Sequence, residues 1–290
     1  MQVNTSQRPA VIGSESLTSL HVKSVVFNDV SRTKGLPIAE LTAKCYTPAT
    51  SDPRGMTFLC AHGAGTHKEQ WEPTHEQVFL KLKAQNLESR IREVWAVDWQ
   101  GHGAGAIINE TALKNRPGVP VVEWAEAIAA IVRSPYLCGH RIVAIGHSAG
   151  SSAVVLATQY FPLTGLPFAA MIIVEPVMCS KAFYCENGEE RDSAFATAIM
   201  IVNARRTTWP IRDDAFSSMS KFFIWKGWDP RILPAYIKHG IKDLLSNNGV
   251  MIVTRNEQEV GAYANVLPHL EAVDQYRRIA PFLPIHFFMV

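Results

Sequence analysis

Arg141-Ile142-Val143-Ala144-Ile145-Gly146-His147-Ser148-Ala149-Gly150-Ser151-Ser152-Ala153 runs from an apolar stretch straight into small side chains. The β-branched half reads as a buried strand and the small-residue half as a helix start. Between them lies a Gly-x-Ser-x-Gly pattern. A serine on so sharp a strand-to-helix turn takes a strained backbone, and its neighbours must be glycine for the two elements to approach. The turn lifts the Ser148 hydroxyl out of the sheet, where the helix beginning near Ala149 offers backbone N–H groups and a positive dipole end. Three fixed positions recur by chance in roughly one chain of this length in ten, so the flanking strand and helix carry the reading.

Working outward, apolar runs alternate with helical patterns, the signature of a mostly parallel sheet with helices on both faces. Ser24–Val30 and Ala39–Tyr46 read as opening strands, a hairpin around Lys34-Gly35-Leu36-Pro37. Met56–Ala61, Glu93–Asp98, Arg141–Ile145 and Ala169–Val174 follow as strands buried on both faces. Thr74–Gln85, Val121–Val132 and Ala149–Tyr160 read as helices. Residues 176 to 264 carry Trp209, Trp225 and Trp228 with several prolines and only one short, ambiguous strand, Gly249–Val253. They read as a mostly helical lid inserted in a core of residues 1–175 and 265–290. A final helix, about Glu257–Arg278, leads to a last strand, Pro284–Val290.

The strand before the elbow's own neighbour ends in His62-Gly63-Ala64-Gly65, whose glycines let backbone N–H groups face an oxyanion beside Ser148. Gly63, Ala64 and Ala149 are thus candidate oxyanion donors, with His62 in the same loop. Asp98-Trp99-Gln100-Gly101-His102-Gly103 reads as a turn that Asp98 fixes by hydrogen bonds, with His102 at the cleft wall.

Composition excludes several classes. The 290 residues are 47% hydrophobic and carry 28 Lys plus Arg against 26 Asp plus Glu, a globular chain with a formal charge of only +2. So balanced a surface suits neither nucleic acid nor an anionic membrane. Five scattered cysteines without a C-x-x-C pair argue against a disulfide framework or a zinc site. The polar segment Met1–Leu17 has no signal-peptide core, and no apolar stretch approaches the roughly 18 residues of a membrane span. An intracellular protein without metal or cofactor is expected, and nothing sets its oligomeric state.

Together, His-Gly at 62–63, Asp-x-x-Gly-His-Gly at 98–103 and Gly-His-Ser-x-Gly at 146–150 resemble the α/β-hydrolase fold. His67-Lys68-Glu69-Gln70-Trp71-Glu72-Pro73, Val174-Glu175-Pro176 and Trp228-Asp229-Pro230-Arg231 are similar to fungal hydrolases of the AK-toxin biosynthesis type. The resemblance implies a hydrolase-like step on an apolar acyl or polyketide ester in host-selective toxin or related biosynthesis. It also implies a peroxisomal location, although Phe288-Met289-Val290 is not an S-K-L type signal.

In that fold the order is serine, acid, histidine, the last after the final strand. Glu175, at the tip of the sixth strand, can serve as the acid; the alternative acid position, the tip of the next strand, would lie beyond Val290, as would the histidine position and the eighth strand. Other histidines have blander readings. His269 reads as a surface residue, His239 as a helix-end cation, His286 as packed in an apolar strand, and His147 as pointing away from the hydroxyl. His62 and His67 are near the loop but lack an acid partner. Losing a triad member costs on the order of 10⁴ to 10⁶ in rate. Two readings follow: a serine hydrolase or acyl-transfer enzyme, seen as a truncated chain, or a non-catalytic member that binds a small apolar ligand or partner.

Overall fold

In the computed structural model the described residues are 10–17, 20–28, 39–244 and 249–289. The expected hairpin turn at Lys34–Pro37 lies outside them, as do the end of the first expected strand and Val290.

The chain opens with three strands, β1 (Ala10–Leu17), β2 (Leu20–Phe27) and β3 (Leu41–Pro48), each antiparallel to the one before. Then come β4 (Met56–Ala61), helix α1 (Glu72–Ala84), β5 (Ile91–Val97), short α2 (Gly103–Ile108), α3 (Val121–Arg133), β6 (Arg141–His147), α4 (Ala149–Ala157) and β7 (Phe168–Val174). Next are α5 (Lys181–Ala204), β8 (Thr208–Trp209), α6 (Arg212–Met219), α7 (Phe223–Lys226), α8 (Ile232–His239), β9 (Ile241–Asp243) and β10 (Val250–Ile252). Two helices, α9 (Asn256–Ala264) and α10 (Leu267–Ile279), lead to β11 (Ile285–Phe288).

Eight strands form one sheet in the order β1-β2-β3-β5-β4-β6-β7-β11, parallel from β5 onward. The crossover that puts β5 outside β4 sends β4 and β6 side by side at the centre, so the loops after both open at one point. Side chains alternate with the pleat. Leu59, Ala61, Trp95 and Val97 face α3, α4 and α10, whereas Cys60, Val94 and Ala96 face α1 with Phe79. This is the mostly parallel sheet with helices on both faces that the apolar runs predict.

Four differences have physical causes. β1 adds an edge strand from Ala10-Val11-Ile12-Gly13-Ser14-Glu15-Ser16-Leu17, too polar to announce itself. The inserted region is not purely helical: Val250–Ile252 is the middle strand of a small antiparallel sheet β8-β10-β9. With α6 and α8 that sheet surrounds a separate apolar cluster of Trp209, Met219, Leu233, Tyr236, Ile241 and Val250. The single final helix is broken at Asn265–Val266, Pro268 standing in the first turn of α10. Residues after the Asp98 turn form α2 rather than a plain loop.

Candidate active site at the tips of the central strands

Ser148 is the residue between β6 and α4, with φ 53° and ψ −119°, a backbone region that L side chains avoid. Such a conformation costs on the order of 1–3 kcal/mol and persists only where its surroundings dictate it. Here they do. The Ser148 amide donates to Val174 O at 3.0 Å, and Ser151 N–H donates back to Ser148 O at 3.0 Å. A Cβ on Gly146 would come within 2.5 Å of Ser151 Cα, and one on Gly150 would overlap the carbonyls of Ala61 and His62. Both glycines are therefore dictated by contact between the helix start and the strands. The Ser148 side chain is half-buried.

The loop after β4 touches the same point. A Cβ on Gly63 would lie 3.3 Å from Ser148 Cβ and 2.9 Å from His147 Nδ1. The Gly63 carbonyl accepts from Thr66 Oγ1–H and from the His62 ring, each at 2.7 Å. Because a peptide is planar and trans, the Ala64 N–H points the opposite way, out of the loop. On the other side, the amides of Ala149 and Gly150 lie in the first turn of α4, ahead of any intrahelical acceptor.

Glu175 follows Val174, whose carbonyl holds Ser148, and it too has a positive φ of 43°. Its amide donates to Phe288 O of β11 at 2.9 Å. Ser148 and Glu175 are thus two strained non-glycine residues at neighbouring strand tips, a clustering typical of functional sites. His147 precedes Ser148 and is partly buried: burial lowers its pKa, and the Glu175 carboxylate partly opposes that shift.

The other histidines are placed differently from one another. His62 is locked: its Nε2 accepts from Trp99 N–H at 3.0 Å, so Nδ1 carries the proton that goes to Gly63 O. Burial pushes its pKa down to about 4 despite nearby Asp98. His67, expected to lack an acid partner, has one, since its Nδ1 lies 3.0 Å from Glu69 Oε2. Its Nε2 is buried beside Gly240 without a hydrogen-bond partner. His102 is fully buried, stacked on Trp99 with ring centroids 5.0 Å apart, rather than lining an open cleft. His269 is not a surface residue: only 1% exposed, its Nδ1 pairs with Ser152 Oγ at 2.8 Å. His286 is exposed on β11 rather than packed. His239 ends α8 ahead of Gly240 but is not the expected helix-end cation, because burial pushes its pKa down to about 4 and leaves the ring neutral. Among the described residues, no histidine ring hydrogen-bonds Ser148 Oγ.

Asp98 plays the fixing role its turn predicts. It accepts from Thr42 Oγ1–H at 2.6 Å, from the Lys68 amide at 2.9 Å and from the Lys68 ammonium at 2.7 Å. Lys68 also meets Glu69, which Lys44 joins from β3. Burial alone would raise the Glu69 carboxyl, but Lys68, His67 and Lys44 outweigh it and hold it well below the usual carboxylate range.

Sequence reasoning missed Glu259. Its carboxylate rests on Gly65, where any Cβ would overlap it and φ is +71°. Arg205, at the end of α5, pairs with it at 2.6 Å. The run Asn256-Glu257-Gln258-Glu259 reads as a solvated helix start, so nothing local marks one carboxylate as buried. Of the tryptophans, Trp209 fills the inserted region's own core, whereas Trp228 faces His147 with centroids 6.4 Å apart.

The profile of the alpha/beta hydrolase family matches residues 58–281. The chain belongs to the α/β-hydrolase family. It is 24% identical over 217 residues to a type I acyl-CoA thioesterase, mpaH, of Penicillium brevicompactum, covering 71% of this chain and 45% of that protein. A Penicillium roqueforti protein of the same name is 21% identical over 214 residues, with the same coverage. The chain spans about half the length of the curated relatives it matches. In solved structures, the peroxisomal α/β-hydrolase Lpx1 of Saccharomyces cerevisiae superposes with a TM-score of 0.67 at 15% identity, covering 94% of this chain and 83% of that one. An α/β hydrolase from Novosphingobium aromaticivorans gives 0.54 at 14% identity, covering 95% and 91%. These likenesses concern the fold. Among the described residues no helix is long and apolar enough to cross a membrane.

Proposed function

We propose that this hydrolase-family chain carries a serine-nucleophile acyl site acting on thioesters or esters of apolar acyl or polyketide chains. The observation that carries the reading is the strained Ser148 backbone with Gly63 packed on its Cβ. Nothing in packing alone asks for a serine there, because glycine would fit at lower cost.

In this reading Ser148 Oγ attacks the acyl carbon, and the Ala64, Gly63 and Ala149 amides receive the oxyanion. His62 acts as a positioning residue that holds the Gly63 carbonyl inward. Glu175 takes the acid position of the serine–acid–histidine order. The inserted region, through Trp228, shields the apolar chain from water. The acyl-CoA thioesterase names of the Penicillium relatives support thioester chemistry, with fungal secondary metabolism, toxin biosynthesis and a peroxisomal setting as the finer expectations.

A second reading is favoured by one specific observation: among the described residues no ring nitrogen reaches Ser148 Oγ. The chain would then hold a small apolar ligand or a partner in the same crevice without turning it over. Thiol release from a panel of acyl-CoA chain lengths separates the two. Hydrolysis that Ser148→Ala lowers by about 10³-fold or more supports the acyl site. Equal rates for wild type and variant, with acyl-CoA still bound, support the second.

A further inference from the structure

Lys221-Phe222-Phe223-Ile224-Trp225-Lys226 covers the end of the α6–α7 connection and the whole of α7. Phe222, Phe223 and Ile224 are 57%, 86% and 53% exposed, which is costly for three consecutive large apolar side chains. Phe216, on α6, is exposed too, at 41%. The lysines at both ends are exposed and, among the described residues, unpaired. The nearest acid in sequence, Asp229, is neutralised by Arg231 at 2.8 Å.

We propose that this segment docks the protein on an anionic lipid bilayer, its aromatic residues entering the acyl-chain boundary and its lysines meeting the headgroups. Three lines of geometry favour lipid over a protein groove. Consecutive side chains point in different directions, so a solid groove reading one face of a strand or helix takes only some of them, whereas fluid acyl chains take all. The two cations flank the apolar residues, an arrangement that lets their stems lie along the insert while the charges stay wet. Trp225, half-buried, meets Trp228 edge-on with ring centroids 6.0 Å apart, and Trp228 meets His147 edge-on at 6.4 Å. The proposed docking segment is thereby joined by ring contacts to His147, the neighbour of Ser148. The balanced charge of the whole chain conceals this local pair of cations, and docking needs no membrane span. It does not depend on any reaction at Ser148.

Co-sedimentation with vesicles tests it, comparing phosphatidylcholine alone with phosphatidylcholine containing about 30% phosphatidylserine. The full chain is expected to sediment with the anionic vesicles, and less so as salt is raised. Phe222→Ser/Phe223→Ser should weaken binding about a hundredfold, the loss for two aromatic insertions. Lys221→Ala/Lys226→Ala should weaken it about thirtyfold, at roughly fivefold per lysine. Phe183→Ser, also exposed at 53% but on α5, should leave it unchanged. All these positions are at the surface, and an unaltered circular dichroism melt confirms that each variant is folded. Equal affinity for neutral and anionic vesicles, or no sedimentation with either, overturns the proposal. So does a concentration-dependent dimer in analytical ultracentrifugation that Phe222→Ser/Phe223→Ser dissolves, which would give the surface to a second copy.

Discussion

Ser148 holds a backbone conformation that glycine adopts freely, and the cost of keeping a serine there gives a direct test. Ser148→Gly should stabilise the fold by about 1 kcal/mol, read as a higher urea midpoint, while removing any reaction at that hydroxyl. An unchanged or lower midpoint would mean the turn is not strained. Gly150→Ala is the converse. The added methyl meets the Ala61 and His62 carbonyls, so a loss of about 1–3 kcal/mol or outright misfolding is expected. Gly146, Ser148 and Gly150 were legible in sequence because a strand-to-helix turn leaves no space for other side chains. Glu259 was not, because its burial depends on Gly65, nearly two hundred residues away, and on Arg205 at the end of another helix.

At the scale of elements, α4 is pinned to α10 by Ser152 and His269, both buried. Ser152→Ala leaves the His269 ring nitrogen unpaired and should cost about 1–3 kcal/mol in chemical denaturation. Adding His269→Leu to it should restore part of that loss, since a pair of apolar groups leaves no buried polar atom. A double variant weaker than the single one by the full sum of both would contradict a direct pairing. The central strands were readable as apolar runs because both their faces are covered. β10 showed only as the short, ambiguous run Gly249–Val253, and β8 and β9 did not show, being two or three residues long, too short for a period of two. The break between α9 and α10 had a visible sign in Pro268, which favours a helix's first turn over its middle.

Across the whole molecule, burial leaves several rings neutral. His62 and His269 are pushed down to about 4, and His239 likewise, each with burial as the main cause. In the unfolded chain these rings titrate near 6.5. Between about 6.5 and 4 the unfolded state therefore binds more protons, so stability rises with pH there and is fully present above that window. The urea midpoint should stay level from pH 8 to about 7 and fall steadily as pH drops toward 5, ahead of carboxylate protonation. A level midpoint down to pH 5 would mean these rings are accessible in the folded state. The layered α/β architecture could be read from the alternation of apolar runs and helices. The edge strand β1 escaped because its sequence is too polar to look like a strand, and the full small sheet because β8 pairs with β10 across about forty residues.

Covalent labelling by a fluorophosphonate probe, located by peptide mass spectrometry, reaches the central claim most directly. Stoichiometric modification on Ser148, absent from Ser148→Ala and reduced in Glu175→Gln, is the expected result. A protein that melts normally yet takes no label at Ser148, or is labelled equally after Ser148→Ala, would contradict it.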